Sequence, residues 1–357
     1  MKHSHSVDVL VVGLGPAGSC ASARAAQAGL SVLSIDRRQT PGEPVQCAEF
    51  VPALFGQEIK TAPAVRQQPI TQMITFVENQ QPDTRTDFRG QMIDRGDFDR
   101  ELLNDARNKG ADCRFGLILR HIDADGTALL SSGEQVCSKV VIGADGPRSI
   151  VGRAIGQFNE RLVETRQMTV PLLKPYFGTD IFLNAELVGG YGWMFPKGDL
   201  ANIGVGVTAA ERGNLKPLVE SIRQRLLAEG RIGEEIIRHT GGEIPVGGML
   251  NAYSRLEDVH VLLAGDAAGL TNPVTGAGIP AAVISGELAG EAAVAAVSGR
   301  SDAGEDYLDE LLGVFGASLE RALNRRRDIL CIHSEGHGPK TEDFRRTWIA
   351  YPEYWAA

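Results

Sequence analysis

The sequence predicts an α/β fold: a nucleotide-binding domain assembled from separated segments, an inserted β-sheet domain, and a helical C-terminal segment. Three observations predict it. The apolar run 7–12 leads through a glycine-rich turn into an alanine-rich stretch and a second apolar run at 31–35, and continuous apolar runs mark strands buried on both faces. A similar run into a glycine turn returns near the other end, at 259–269. Between the two, from about 157 to 242, strand-like segments dominate. The expected ranges are 1–70, 90–156 and 243–300 for the nucleotide domain, 71–89 and 157–242 for the β-rich substrate domain, and 301–357 for the C-terminal helical segment.

Taken in order, 7–12, a helix from 16 to 29 stopped by Gly29, and 31–35 make one βαβ unit. Residues 40–48 are a Pro/Gly loop. Residues 71–78 and 84–88 alternate like a hairpin. A helix over 97–109 begins near Asp94 or Asp97 and closes at Gly110. Short strands fill 112–142, with turns at Asp125-Gly126 and Ser132-Gly133. Strands follow at 161–170, 181–187, 191–197 and 201–208, then a helix at 214–228. A long small-residue helix spans 276–297. An amphipathic helix over 303–329 ends in Arg325, Arg326 and Arg327, and the aromatic tail packs on the body.

Composition bounds the function. A formal net charge of -9 over 357 residues excludes a broad basic surface and argues against nucleic acid. The five cysteines, at 20, 47, 113, 137 and 331, are odd in number and form no C-x-x-C pattern. Neither a metal site nor a disulfide framework is predicted, and a reducing, cytoplasmic compartment is expected. No signal peptide is legible. The apolar stretch 7–30 is broken by four glycines and Pro16, and 276–297 carries Glu287 and Glu291, so both read as buried elements of a globular domain.

Three motifs carry chemistry. Gly13-Leu14-Gly15-Pro16-Ala17-Gly18 sits between a strand and a helix, with Asp36 ending the next strand. This is the context of a Rossmann-like dinucleotide site. Gly13 makes the turn, Gly15 lets a pyrophosphate approach, Gly18 packs helix on strand, and Asp36 takes the ribose hydroxyls. Gly143-Ala144-Asp145-Gly146 follows a second apolar strand; the alternative is a plain Asp-Gly turn. Ala264-Gly265-Asp266-Ala267-Ala268-Gly269 leads to Asn272-Pro273 and Gly276-Ala277-Gly278-Ile279. There an acid can bind a polyol, and helix N–H groups can meet negative charge; the alternative is a capping Asp and a loop.

In order and wording the three motifs resemble flavoproteins of the p-hydroxybenzoate hydroxylase fold and, more narrowly, the geranylgeranyl reductase family. Pro41-Gly42-Glu43-Pro44-Val45-Gln46-Cys47-Ala48-Glu49 is similar to that family's G-x-P-V-x-C-G/A-E loop. Tyr191-Gly192-Trp193-Met194-Phe195-Pro196-Lys197-Gly198 is similar to its Y-x-W-x-F-P-K-G strand. The segment from Arg95 through Phe98-Asp99 also fits. The resemblance covers about 1–300. It implies that the glycine loop, Asp36 with Arg37, Arg95, Leu119, Asp145, Gly265-Asp266 and Gly276 to Ile279 line FAD, with Cys47 and Ala48 near the isoalloxazine. The sequence departs from the family at Asp36, where Glu is commoner, and at Pro280, where an aromatic residue often stands.

The activity implied is FAD-dependent reduction of isoprenoid C=C bonds. Tyr191, Trp193 and Phe195 alternate along one strand and share a face. With Pro196 they make either an isoprenoid-binding wall or a packed core. Cys47 is either a proton donor or a small buried side chain. No second G-x-G-x-x-G follows a strand, since Gly204-Val205-Gly206 lacks a glycine at 209. The reductant is then NAD(P)H docking transiently, or an electron-donor protein such as a ferredoxin. The competing readings are an FAD-dependent monooxygenase acting on an aromatic or peptide substrate, and a flavin-binding assembly partner without turnover. A lipid substrate would bring the protein to the inner membrane face, and the basic end of 303–329 either lies on anionic lipid or packs on the domain.

Overall fold

The computed structural model describes residues 4–52, 65–336 and 338–356; the expected domain ranges also contain 1–3, 53–64, 337 and 357, which lie outside the described residues. The nucleotide sheet runs Tyr253–Leu256, Val259–Leu263, Gln135–Gly143, Ser4–Val12, Val32–Asp36, Asp112–Phe115. Its last five strands are mutually parallel. Apolar residues fill these strands because helices cover the sheet, and Val9, Leu10, Val11, Leu33 and Ile35 are fully buried. Leu119–Ile122 and Ala128–Leu130 extend the sheet off Gln135–Gly143.

The helices Pro16–Gln27 and Ile279–Val297 pack directly on each other. A Cβ on Gly286 would stand 2.2 Å from the Ala17 carbonyl oxygen. Small residues therefore set the spacing of the two helices. Ile279–Val297 is the one helix among the described residues long and apolar enough to cross a membrane, and its buried face is spent on this contact.

The inserted sheet runs Arg238–Thr240, Leu162–Pro171, Leu200–Thr208, Gly192–Lys197, Gly178–Leu183, Gln72–Val77, Asp83–Arg85, with Glu243–Pro245 also paired to Leu162–Pro171. A third, small sheet joins Phe50–Pro52, Gly90–Ile93 and Arg66–Ile70. One face of the inserted sheet carries the helix Leu215–Ala228, whose Val219 and Leu226 pack among Met168, Val170, Met194 and Ile203. The other face carries Trp193 and Phe195 against Phe344 and Trp348 of the tail.

The C-terminal region departs from a single helix over 303–329. Ala303–Leu311, a π turn at Leu312–Gly316 and Ala317–Ser334 form three successive helical pieces, and Thr341–Thr347 and Pro352–Trp355 follow. The arginine triplet is largely consumed internally. Arg326 is buried and donates to the carbonyls of Gly189 and Pro273, and Arg325 donates to those of Tyr354 and Glu353. Only Arg327 of the three is exposed, because the tail folds back over the helix and takes up the other two.

Candidate active site

The three motifs meet at the carboxyl ends of the central parallel strands, where open α/β sheets bind ligands. Gly13 N–H donates to Ile35 O, Ala144 N–H to Val12 O, and Ala264 N–H to Gly143 O, at 2.8 to 2.9 Å. These bonds tie the three loops edge to edge. Gly13 has φ +98°, and a Cβ there would lie 2.2 Å from Ala144 O. A Cβ on Gly265 would touch the Cβ atoms of Ala17 and Ala282 at 3.2 and 3.4 Å. The third loop is thus wedged between the first turns of the two long helices.

Both of those helices start without a side-chain cap and without an acid in the first turn, at Gly15-Pro16 and at Gly278-Ile279. Their first N–H groups and positive dipole ends suit an anionic or electron-rich ligand. The cradle has the chemistry to hold FAD: Gly15 to Gly18 and Gly276 to Ile279 are the residues that would line it.

Asp36 is buried. It accepts from Leu14 N–H at 2.8 Å and from Arg38 through N–H, Nε and Nη2 at 2.8, 3.2 and 3.0 Å. Burial would raise its carboxyl, but the hydrogen bonds and charge of Arg38 and the Leu14 N–H hold it below the ordinary carboxylate range. The structure brings Arg38 to the site, whereas Arg37 is exposed. Leu119, 2% exposed, places its side chain in the core of the nucleotide domain.

Two motif acids differ in what they do. Asp145 spends its oxygens on Ser149 Oγ at 2.5 Å and on the N–H groups of Ile150 and Val151 at 2.7 and 3.3 Å. These bonds hold the first turn of the helix Ile150–Ala154. Asp266 accepts from Thr271 Oγ1 at 2.7 Å. Burial pushes its carboxyl up, opposed by Thr271 and by the nearby charge of Arg95.

Arg95 makes a bidentate pair with Asp99 at 3.0 and 3.1 Å. Its charge also acts on Cys47 and on Asp266. Cys47 Sγ accepts from Glu49 N–H at 3.2 Å, and burial pushes its thiol up despite the opposing charge of Arg95. Ala48 touches the cluster that contains Trp193 and Phe195.

Four residues of this site escaped the sequence analysis as site residues. Glu49, 5% exposed with φ +69°, accepts from Arg95 N–H at 3.0 Å, Lys197 Nζ at 2.8 Å and Asn202 Nδ2 at 3.0 Å. Lys197 also reaches Asp94 at 3.0 Å. Gln167 donates to Cys47 O at 3.1 Å and accepts from Trp193 Nε1 at 3.0 Å. The signal for Glu49 and Lys197 was their place at the ends of the two narrower motifs. Gln167 and Asn202 carried no signal beyond their position in strands.

Tyr191, Trp193 and Phe195 do share a face, with ring centroids 5.7 and 6.4 Å apart along the series. Trp348 covers Tyr191 at 4.8 Å. Trp193 and Phe195 are each 6% exposed, so their part of the face is packed core. Tyr191 reaches the cofactor-side loop, its Oη donating to Thr275 O at 2.6 Å. Pro196 is buried one register step off this face, paired with Ala201.

No family model matches the chain. A digeranylgeranylglycerophospholipid reductase of Methanosarcina acetivorans is 33% identical over 334 residues, covering 85% of this chain and 79% of the relative. One from Methanothrix thermoacetophila is 34% identical, covering 90% and 86%. Among solved structures, a geranylgeranyl bacteriochlorophyll reductase-like protein of Thermoplasma acidophilum superposes with a TM-score of 0.82 at 24% identity, over 98% of each chain. PqsL, a probable FAD-dependent monooxygenase of Pseudomonas aeruginosa, gives 0.70 at 18% identity, over 92% of this chain and 96% of that one. These two share the fold, and the monooxygenase is the more distant of them. With the two narrower motifs joined through Glu49, Lys197 and Gln167, and with identity sustained across most of both chains, the protein belongs to the geranylgeranyl reductase family of FAD-dependent oxidoreductases.

Proposed function

We propose that this enzyme saturates C=C bonds of an isoprenoid chain carried on a glycerophospholipid. The observation that carries the reading is the docking of the Cys47 loop, through Glu49 and Gln167, onto the aromatic strand and beside Arg95. The names of the archaeal relatives support the substrate class. Reduced FAD, when bound, supplies a hydride from N5 to one alkene carbon, and the other carbon then needs a proton. The Cys47 thiol, kept protonated by burial, donates that proton, and the Arg95 guanidinium stabilises the thiolate left behind. An isolated alkene has no carbonyl to polarise, so placement of the chain is decisive. Tyr191 serves as the substrate-facing wall, while Trp193, Phe195 and Pro196 fix it from within the core.

The reductant comes from outside the chain, as transiently docked NAD(P)H or a ferredoxin-type protein. Gly204-Val205-Gly206 lies inside the strand Leu200–Thr208. A Cβ on Gly204 would meet the Trp193 ring at 2.2 Å, so this glycine serves packing. The enzyme works in the cytoplasm and visits the inner membrane face peripherally; the exposed Leu312, Val314 and Trp355 support that contact.

The test is anaerobic. FAD-loaded protein reduced with dithionite should be reoxidised by an unsaturated geranylgeranyl lipid and yield saturated product. Cys47→Ala should slow that step and leave FAD content unchanged. Absence of reoxidation, with rapid turnover of O₂ and an aromatic acceptor, would establish monooxygenase chemistry instead.

A further inference from the structure

A second feature lies outside the cradle. Between the cysteine loop and the edge of the inserted sheet is a cleft of about 400 Å³, lined by Pro44, Gln46, Thr165, Arg166, His239 and Gly241. A cleft of this volume holds a small-molecule fragment. Gln46 precedes Cys47 in sequence, so whatever occupies the cleft adjoins the active-site loop.

Its polar groups are unevenly satisfied. Thr165 Oγ1 is engaged with Gly242, donating to its carbonyl and accepting its N–H at 2.9 and 3.0 Å. Thr240 Oγ1 is engaged with Gln167 at 3.3 Å. Arg166 is different. Its Nε is buried with no hydrogen-bond partner, and among the described residues it enters no ion pair. The carboxylates on the neighbouring strand positions serve other arginines: Glu243 pairs with Arg148, and Glu164 with Arg212. His239 sits on the edge strand Arg238–Thr240, opposite Met168, and its exposed imidazole adds a second donor.

Arg166 and His239 share one cleft whose lining residues include no carboxylate. The planar fork of a guanidinium matches two oxygens of a phosphate group. We propose that this cleft is a phosphate-ester site, in which Arg166 and His239 hold the phosphate of a ligand whose other end reaches the Cys47 loop.

Two ligands share that chemistry: the phosphate of a glycerophospholipid substrate and the phosphates of a nicotinamide nucleotide. The lipid source rests on the proposed function; the phosphate site itself does not. Both arms of the test use FAD-loaded protein. Calorimetric titration with glycerol phosphate and with NADPH measures binding without turnover. At least one probe should bind saturably, and Arg166→Ala should weaken it about tenfold or more. Arg166→Lys should restore part of the loss, and His239→Ala should weaken binding less. FAD content should stay at the wild-type level in every variant.

The kinetic arm assigns the source. A KM raised for the phospholipid, but not for the same lipid lacking its phosphate, identifies the headgroup. A raised Kd for NADPH in anaerobic flavin reduction identifies the nucleotide. Failure of both probes to bind wild type, or unchanged binding in folded Arg166→Ala and His239→Ala, overturns the site. If wild type reduces no isoprenoid lipid while probe binding still depends on Arg166, the proposed function falls and the site stands.

Discussion

Replacing Glu49 by alanine tests whether the active-site loop is held by one buried carboxylate. Glu49 is 5% exposed and joins three elements: the helix start at Arg95, Lys197 at the end of the aromatic strand, and Asn202 on the next strand. Removing one partner of a buried ion pair costs about 3–5 kcal/mol. Lys197 keeps Asp94 at 3.0 Å, so the loss belongs at the low end, about 3 kcal/mol. Backbone strain makes a second variant informative. Glu49 has φ +69°, a conformation that costs a non-glycine residue about 1 kcal/mol, which glycine escapes. Glu49→Gly should therefore unfold at higher urea than Glu49→Ala, and both at lower urea than wild type. Undocking should also expose Cys47, read as faster thiol labelling of its peptide by mass spectrometry. An alanine variant within about 0.5 kcal/mol of wild type, with Cys47 labelled no faster, would refute the argument. A glycine variant weaker than the alanine variant would refute its backbone half.

Asp36 gives a pH test. Its folded carboxyl is held below the ordinary value, so it contributes stability above the unfolded value of about 4. That contribution is lost as pH falls through the lower folded value. Wild type should lose urea midpoint over this acid window, and Asp36→Asn should show a shallower loss; parallel curves would count against the Arg38 assignment. Asp266→Ala should raise the FAD dissociation constant about 10- to 100-fold, measured by flavin retained after gel filtration; full retention would mean that the third motif is misassigned. Gly286→Ala places a Cβ 2.2 Å from Ala17 O. It should cost about 3 kcal/mol and lower FAD occupancy, because Ala17 opens the glycine-loop helix; a neutral variant would show that the helix pair has slack.

What the sequence made legible was local. The strand-turn-helix at 7–29 was visible because its glycines serve the turn itself, a Cβ on Gly18 running into the Gly13 carbonyl. The common face of Tyr191, Trp193 and Phe195 followed from strand alternation alone. Its cover did not, because Phe344 and Trp348 lie far along the chain and nothing in their own segment names the partner. Arg37 and Arg38 are indistinguishable as letters; the turn after Val32–Asp36 aims the second back at Asp36. Asp145 and Asp266 looked alike, both acids after a buried strand. Ser149 four residues on was the clue that Asp145 caps a helix, and Ser149 itself caps Gly152 N–H at 2.8 Å.

The strand order of the nucleotide sheet constrains how the enzyme is made. Ser4–Val12 lies between Val32–Asp36 and Gln135–Gly143, and Gln135–Gly143 is flanked in turn by Val259–Leu263. A ribosome must therefore deliver the whole inserted domain before the sheet gains its last parallel strand. Until then Val140 to Gly143, beyond the part that Ala128–Leu130 covers, present an open edge that invites pairing with another nascent chain. Such distant pairings also make for slow folding. On the proposed site the dinucleotide would be clasped only after Ile279 has emerged, so flavin supply during expression should act on a nearly complete polypeptide and rescue few early intermediates.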